Sequence, residues 1–479
     1  MITLGKKVFL GTIWSAVGQF AYMAVSLITN IILARLISPD DFGKVSIIMF
    51  FVTLGLVFSE SGLGGALVRK KSLSKLDCST VFVFNLVLGV ICFLIICASA
   101  PFISSYYEDA NLSQYLIVAS VILIINAFNI IQNSLLIRDM KFKSRAVYKT
   151  ISITVASLLS IVLALKGFGI WALVYLQIFN VLFYTSLLWL QTGSYVSLGF
   201  SRASFRETFS FGVNTTLASL IQTFFDNIYQ VVFAKHFTYA DAGLFYQAKR
   251  LQDVPNNVIQ MTAVNVVFSG LSKLQDDIVK LKQTYRKIIG LFTVLMGLIS
   301  SLIFIYSDDI VKLLYGERWD GTDYYIKMLC IASFFYMQEQ FNRVIFKVFD
   351  QTQKILMLEL VKKAIQAITI FGGIYYRDIS VLLWGYVITA VLSYILNFIV
   401  SRKVMGDVNY YEFIILLKVV GVSVMLSYTS VKIYSYCDIA GPLSFLGVPI
   451  FTIAYFSAMH VLRIADVKRE FSQLIQRFR

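Results

Sequence analysis

An all-α, polytopic membrane bundle of about fourteen helices is the fold this sequence predicts, and three observations predict it. Hydrophobic residues make up 58% and charged residues only 14% of the 479 positions. A water-soluble domain of this size needs far more charge to cover its surface, so the bulk solvent is lipid. Apolar stretches long enough to cross hydrocarbon, about 20 residues each, recur along the whole chain. Cations and acids then alternate from one connecting segment to the next.

The stretches run near 10–36, 43–66, 79–101, 113–136, 148–166, 170–190, 209–235, 242–268, 288–306, 322–346, 355–375, 381–401, 413–434 and 443–463. The eighth is the least apolar, because it contains Lys249, Arg250 and Asp253. Lys6 and Lys7 precede an apolar run to about Leu36, which is too long for a signal-peptide core and lacks an A-x-A cleavage site. It reads as the first crossing. Five prolines and 27 glycines fit long helices with few breaks, and 40 Phe with 27 Tyr suit lipid-facing and interfacial positions. Cys78, Cys92, Cys97, Cys330 and Cys437 have no metal-ligand spacing and no disulfide framework is expected.

The formal net charge of +15 has two readings, a nucleic-acid surface or cations held on the cytoplasmic side. Its distribution decides. With the N-terminus inside, the inner segments carry Arg69, Lys70, Lys71 and Lys75, then Arg138, Lys141, Lys143, Arg145 and Lys149, then Arg202 and Arg206. Lys273, Lys280, Lys282, Arg286, Lys287, Lys354, Arg402 and Lys403 continue the pattern, and Arg463, Lys468, Arg469, Arg477 and Arg479 end it. Outer segments are acidic, with Asp40, Asp41, Glu108, Asp109, Asp308, Asp309, Glu317, Asp320 and Asp323. Both termini are therefore expected in the cytoplasm, and the positive charge is a topology signal with no nucleic-acid partner.

An internal repeat organises the chain. At an offset of 200, Ala34-Arg35 lies over Ala234-Lys235, Asp41 over Asp241 and Gly43 over Gly243; near 209, Asn133 to Arg138 (NSLLIR) lies over Asn342 to Lys347 (NRVIFK). Both echoes fall at the same place in a six-helix unit, and both units start inside, so the repeat is parallel. Residues 1–200 are expected to form an N-terminal lobe and 201–405 a C-terminal lobe, with two further helices and a basic tail over 406–479. This is a transporter-like plan, with the working site expected between the halves.

The turn Leu33 to Gly43 (LARLISPDDFG) resembles the LARLLxPxDFG turn of bacterial polysaccharide flippases. Gly167 to Val174 (GFGIWALV), Arg138 to Phe142 (RDMKF), Asp226-Asn227, Gly243 to Leu251 with Pro255, and Gly316 to Trp319 (GERW) fit the same pattern. Together they are similar to the Wzx/WzxC-type branch of the multidrug/oligosaccharidyl-lipid/polysaccharide exporter superfamily, over about residues 5–400. The resemblance implies a V-shaped pair of six-helix lobes in the bacterial cell inner membrane. It implies a lipid-linked substrate, an undecaprenyl-pyrophosphate-linked oligosaccharide for exopolysaccharide, capsule or O-antigen synthesis. A polysaccharide polymerase and a chain-length regulator are the partners it implies.

Enzyme chemistry has no visible seat. Gly62-Leu63-Gly64-Gly65 leads to Arg69-Lys70-Lys71 without the GK[ST] ending of a phosphate-binding loop, and close helix packing explains it better. His236 and His460 stand far apart, so no metal and no cofactor are expected. The longest outer segment, about Ser307–Gly321, is short for a glycan polymerase or ligase, which stays as one alternative; a multidrug or cation antiporter of the same superfamily is the other.

Charge inside the membrane is the informative feature. Asp226 on the seventh stretch and Lys249 and Arg250 on the eighth lie about 10–14 Å below the outer surface at 1.5 Å per residue. Asp253 follows Lys249 by four and Arg250 by three, so it can partner either. Each ion costs a few kcal/mol to hold in hydrocarbon, so these groups are expected to face a polar cavity. Either Lys249 and Arg250 attract a pyrophosphate or acidic sugar, with Asp226 and Asp253 neutralising them when empty, or the four form a static ion-pair cluster. Pro255 one turn on removes a backbone hydrogen bond and is a kink point. Nearer the cytoplasm, Glu339, Arg343 and Lys347 share a helical face, and Glu359, Lys362 and Lys363 stand on the next stretch. Arg343 and Lys347 either receive the diphosphate or snorkel to the interface. Glu60 is a candidate proton or cation carrier. Arg35 and Lys235, at equivalent outer helix ends, suit helix C-terminal charge compensation, with a substrate role for Arg35 as the alternative.

Overall fold

A computed structural model describes residues 4–60, 62–70, 72–192, 199–262, 267–406, 410–437 and 441–462, and every regular element in them is helical. Over its described residues, each predicted stretch is occupied mainly by helix. In order they are α1 (Leu4–Leu36), α2 (Pro39–Glu60), α3 (Leu63–Arg69), α4 (Lys75–Tyr107), α5 (Leu112–Arg138), α6 (Phe142–Leu165), α7 (Ile170–Thr192), α8 (Arg202–His236) and α9 (Tyr239–Thr262). There follow α10 (Phe268–Ser272), α11 (Ile278–Ile305), α12 (Ser307–Leu314), α13 (Thr322–Val348), α14 (Thr352–Tyr376), α15 (Ile379–Met405), α16 (Tyr411–Cys437) and α17 (Gly447–Val461). Among the described residues, ten helical segments are long and apolar enough to cross a membrane: α1, α2 with α3, α4 to α7, α11, α15, α16 and α17. The long helices α8, α9, α13 and α14 fall outside that set, being too polar along their length.

Two predicted boundaries shift for local reasons. The stretch 43–66 is split, because α2 ends at Glu60, Gly62 takes φ 63°, and α3 resumes for seven residues. The left-handed conformation carries no Cβ penalty at glycine, so the break costs little there. Of the next two glycines, Gly64 packs closely, since a Cβ there would lie 2.9 Å from Ser134 Oγ on α5, whereas Gly65 is exposed. The segment expected as an outer loop after residue 306 instead folds into α12 and a 3-10 turn over Glu317–Trp319, with the Trp319 ring fully buried.

The helices form two compact units, Met1–Tyr246 and Gln247–Arg479. In the first, α4 lies on α5, α6 packs between α1 and α7, and α2 packs on α5 and α8. A capping box starts α4: Asp77 N–H donates to Ser74 Oγ at 3.1 Å and Ser74 N–H donates to Asp77 Oδ2 at 3.0 Å. The same carboxylate accepts from Lys70 Nζ at 3.0 Å and from Ser204 Oγ at 2.6 Å, which ties the α3–α4 turn to α8. In the second unit, α13 packs on α15 and α11, α14 on α15, and α16 on α11 and α17. Its core includes Tyr285, Val294, Phe341, Ile345, Phe398 and Tyr455.

Inside the first unit the repeat-equivalent turns meet backbone to backbone. A Cβ on Gly43 would overlap the carbonyl of Tyr239, and a Cβ on Gly243 would overlap the carbonyl of Pro39. Around them, Tyr239 Oη donates to the Tyr107 carbonyl at 3.1 Å, and Lys44 pairs with Asp109 at 2.6 Å. Lys235 Nζ donates to the Tyr106 carbonyl at 2.5 Å and lies 3.5 Å from Glu108. A backbone carbonyl cannot rotate away as a side chain can. Gly43→Val and Gly243→Val are therefore expected to lower stability by about 1–3 kcal/mol each, read as a fall in the melting temperature of the purified protein in detergent. An unchanged melt would show that these turns part without cost.

Candidate functional site

The densest charge cluster lies in the second unit between α13 and α14. Spacing by four puts Glu339, Arg343 and Lys347 along one edge of α13, and α14 brings Glu359, Lys362 and Lys363 against it. Arg343 reaches Glu359 at 2.8 Å and Glu339 at 3.6 Å. Lys362 reaches Glu339 at 2.9 Å, and Lys363 reaches Glu359 at 3.5 Å. Glu339 is buried, with 1% of its side chain exposed, and Arg343 and Lys362 are the cations against it. Lys362 also stands over the Tyr336 ring, 5.2 Å from its centroid. Lys347, one turn on, is exposed.

On α9, buried Gln252 fixes how the charged residues lie. Its amide donates to the Leu329 carbonyl at 2.6 Å and to Ser333 Oγ, both on α13. Helical geometry places Lys249, Arg250 and Asp253 roughly 60–160° around the helix from that anchor. Lys249 and Arg250 are half-buried and Asp253 is exposed. Arg250 is near enough to Tyr315 for its charge to act there: burial pushes the Tyr315 hydroxyl up to about 12, and the guanidinium opposes the rise. The Tyr315 ring packs 5.8 Å from Trp319, so the GERW turn and Arg250 share one neighbourhood. The helix runs on through Pro255.

In the first unit, Glu60 ends α2 with an exposed side chain that accepts from Asn126 Nδ2 at 3.3 Å, and Asn129 donates to Asn126 Oδ1 at 2.8 Å. Asp226 and Arg35 are exposed, on α8 and in the last turn of α1. Lys235 compensates a helix C-terminus, although the terminus is that of α4 rather than its own, through the Tyr106 carbonyl.

Sequence reasoning passed over one arrangement. Arg145 and Lys149, counted above only as topology charges, stand four apart on α6 and are both half-buried. Arg145 Nε donates to Asn133 Oδ1 at 2.9 Å, and Tyr184 Oη donates to the same oxygen at 3.0 Å. Lys149 Nζ lies 4.6 Å from the Tyr22 ring centroid, and Asn180 Nδ2 donates to Tyr22 Oη at 3.3 Å. The available signal was an i, i+4 cation pair with no acid within a turn of either.

The family model for polysaccharide biosynthesis proteins matches residues 32–323, more than half of the chain. The chain belongs to that family. This polysaccharide biosynthesis protein is 22% identical over 343 residues to the lipopolysaccharide biosynthesis protein WzxC of Escherichia coli (strain K12), covering 69% of this chain and 68% of WzxC. It is 25% identical over 308 residues to the succinoglycan biosynthesis transport protein ExoT of Rhizobium meliloti (strain 1021), covering 64% of this chain and 62% of ExoT. The matches thus span about two thirds of each relative. Its fold is similar to that of the lipid II flippase MurJ in an inward closed conformation, with a TM-score of 0.73, 14% identity, and coverage of 96% of this chain and 100% of the other.

The α13–α14 cluster of this family member yields a stability test. Glu339→Gln leaves Lys362 and Arg343 short of a carboxylate, and breaking a buried pair from one side costs about 3–5 kcal/mol. Adding Lys362→Met is expected to recover most of that loss. Reversible unfolding in mixed detergent micelles reads both; additive losses would show that the pair is uncoupled.

Proposed function

We propose that this protein is a flippase that moves undecaprenyl-pyrophosphate-linked oligosaccharide repeat units across the bacterial cell inner membrane by alternating access. The observation that carries the reading is membership of the polysaccharide biosynthesis family with a relative named as a transport protein, on a fold shared with a named lipid II flippase. Half-buried cations on helices of an otherwise apolar chain support it. An anionic head group needs several charge-assisted hydrogen bonds to offset its desolvation. The lipid tail stays in the bilayer while glycan and diphosphate pass through water.

In this reading the chain crosses fourteen times with both termini cytoplasmic. Residues 1–200 and 201–405 form the lobes, and 406–479 add two helices and a tail. Lys249 and Arg250 hold the diphosphate, with Asp226 and Asp253 balancing them. Arg343 and Lys347 meet the substrate nearer the cytoplasm, with Glu339 as the balancing charge, and Arg35 contacts it at the outer end. Glu60 carries the coupling proton or cation. A polysaccharide polymerase and a chain-length regulator act downstream.

Deletion of the gene is expected to leave lipid-linked repeat units on the cytoplasmic leaflet, counted by mass spectrometry of extracted lipids after protease-free spheroplast labelling. Export of single units without polymer would instead identify a polymerase. Lys249→Ala and Arg250→Ala are each expected to reduce flipping in proteoliposomes at least about tenfold, the loss of one charge-assisted contact. Intact transport by folded variants would make the pair structural.

A further inference from the structure

The geometry points to a second anion site, wholly inside the first unit, formed by Arg145 and Lys149 and taking the diphosphate of a polyprenyl-linked head group. Four helices build it. The α6 cations are flanked by Asn133 from α5, Tyr22 from α1, and Asn180 and Tyr184 from α7. The identification of the ligand as a polyprenyl diphosphate rests on the flippase reading; the anion site itself does not.

Charge balance is the first argument. Arg145 and Lys149 share one face of α6, where residues four apart are neighbours and like charges repel. Among the described residues, neither forms an ion pair with a carboxylate. Every cation of the α13–α14 cluster that lies beneath the surface, by contrast, has one: Arg343, Lys362 and Lys363 all reach Glu339 or Glu359. Two half-buried like charges without a counter-charge are a standing cost, and a bound dianion would remove it.

Orientation is the second argument. A cation retained only for topology extends its head into water. Arg145 is instead held laterally by the Asn133 oxygen, and Lys149 lies against the Tyr22 ring. Asn133 accepts two hydrogen bonds at one oxygen, from Arg145 Nε and Tyr184 Oη, which engages Nε and leaves the terminal nitrogens of the guanidinium to meet a ligand. The guanidinium fork suits bidentate phosphate recognition, and the neighbouring ammonium supplies a point charge for a second phosphoryl group.

Depth is the third. Arg145 and Lys149 follow the first residue of α6 by three and seven positions, about 5 and 11 Å along the axis. A lipid head group lies near the ends of spanning helices, and this pair stands within the first two turns of α6, where a polyprenyl diphosphate held at the head-group layer can meet it. Beside Arg145, Gln191 Nε2 donates to Ser144 Oγ at 3.2 Å, so the neighbouring side chains on that side are uncharged.

Full-length protein in phosphatidylcholine nanodiscs tests this through the ligand-dependent rise in melting temperature at fixed ionic strength. Three probes are titrated: inorganic pyrophosphate, undecaprenyl diphosphate and phosphatidylglycerol. Wild-type protein is expected to respond saturably to the first two, and to need far more phosphatidylglycerol. Arg145→Gln and Lys149→Gln are each expected to weaken the pyrophosphate response about tenfold. Arg145→Lys, which keeps charge without the fork, falls between, and Lys403→Gln on the exposed surface changes nothing. The melt of each variant without ligand reports its folding. Equal pyrophosphate affinity in Arg145→Gln, Lys149→Gln and wild type overturns the site. An equal response to phosphatidylglycerol and undecaprenyl diphosphate overturns the head-group assignment, since bulk lipid phosphate would then fill it. Failure of the flippase reading shows differently, as normal leaflet distribution of repeat units in the deletion strain beside an intact pyrophosphate response.

Discussion

A charge held among apolar helices must be paired, hydrogen-bonded or hydrated, because the cost of stripping its water is several kcal/mol even after relaxation. That constraint shapes both units. In the second, Glu339 is almost fully enclosed, and Lys362 and Arg343 converge on it from two helices. Buried Arg402 meets Glu412 in the same way, with the Tyr285 ring 5.4 Å from the guanidinium. These pairs join α13 to α14 and α15 to α16, so the helices that carry the charges are also the ones they fasten.

The repeat makes the contrast between the units sharper. Asn133 and Asn342 are equivalent under the 209-residue offset, and each accepts two hydrogen bonds at its side-chain oxygen. Asn342 accepts from Ser401 at 2.7 Å and Tyr285 at 3.3 Å, both neutral hydroxyls. Asn133 accepts from Tyr184 and from a guanidinium. The same amide therefore closes a neutral knot in one unit and orients a cation in the other.

Hydropathy made the helices legible, since crossing hydrocarbon demands long apolar runs and little else produces them. It was blind to the break at Gly62, because the apolar runs up to Phe58 and from Leu63 to Val68 carry a window average across Ser59, Glu60 and Ser61, and a single left-handed residue leaves no trace in it. It was equally blind to α12, whose eight residues are too few to register. The i, i+4 spacing of Glu339, Arg343 and Lys347 put them on one face, but only coordinates show Arg343 taken up by two carboxylates while Lys347 is left exposed. Arg145 and Lys149 were hidden for the opposite reason: the alternation of charge between loops already explained them. Their partners, Asn133, Asn180 and the tyrosines, are neutral and carry no pattern.

The junction of the α1–α2 and α8–α9 turns has its own mechanical meaning. Two glycine backbones touch there, the Phe42 ring packs 6.3 Å from that of Tyr246, and Lys44 stands over the Tyr239 ring, while lysine and tyrosine contacts to main-chain oxygens and carboxylates surround them. Water offers the same partners, so each tie is worth only about 1 kcal/mol net. A seam of this kind resembles a drawstring more than a weld: many small ties share the load, and bare backbone at Gly43 and Gly243 admits only one close fit.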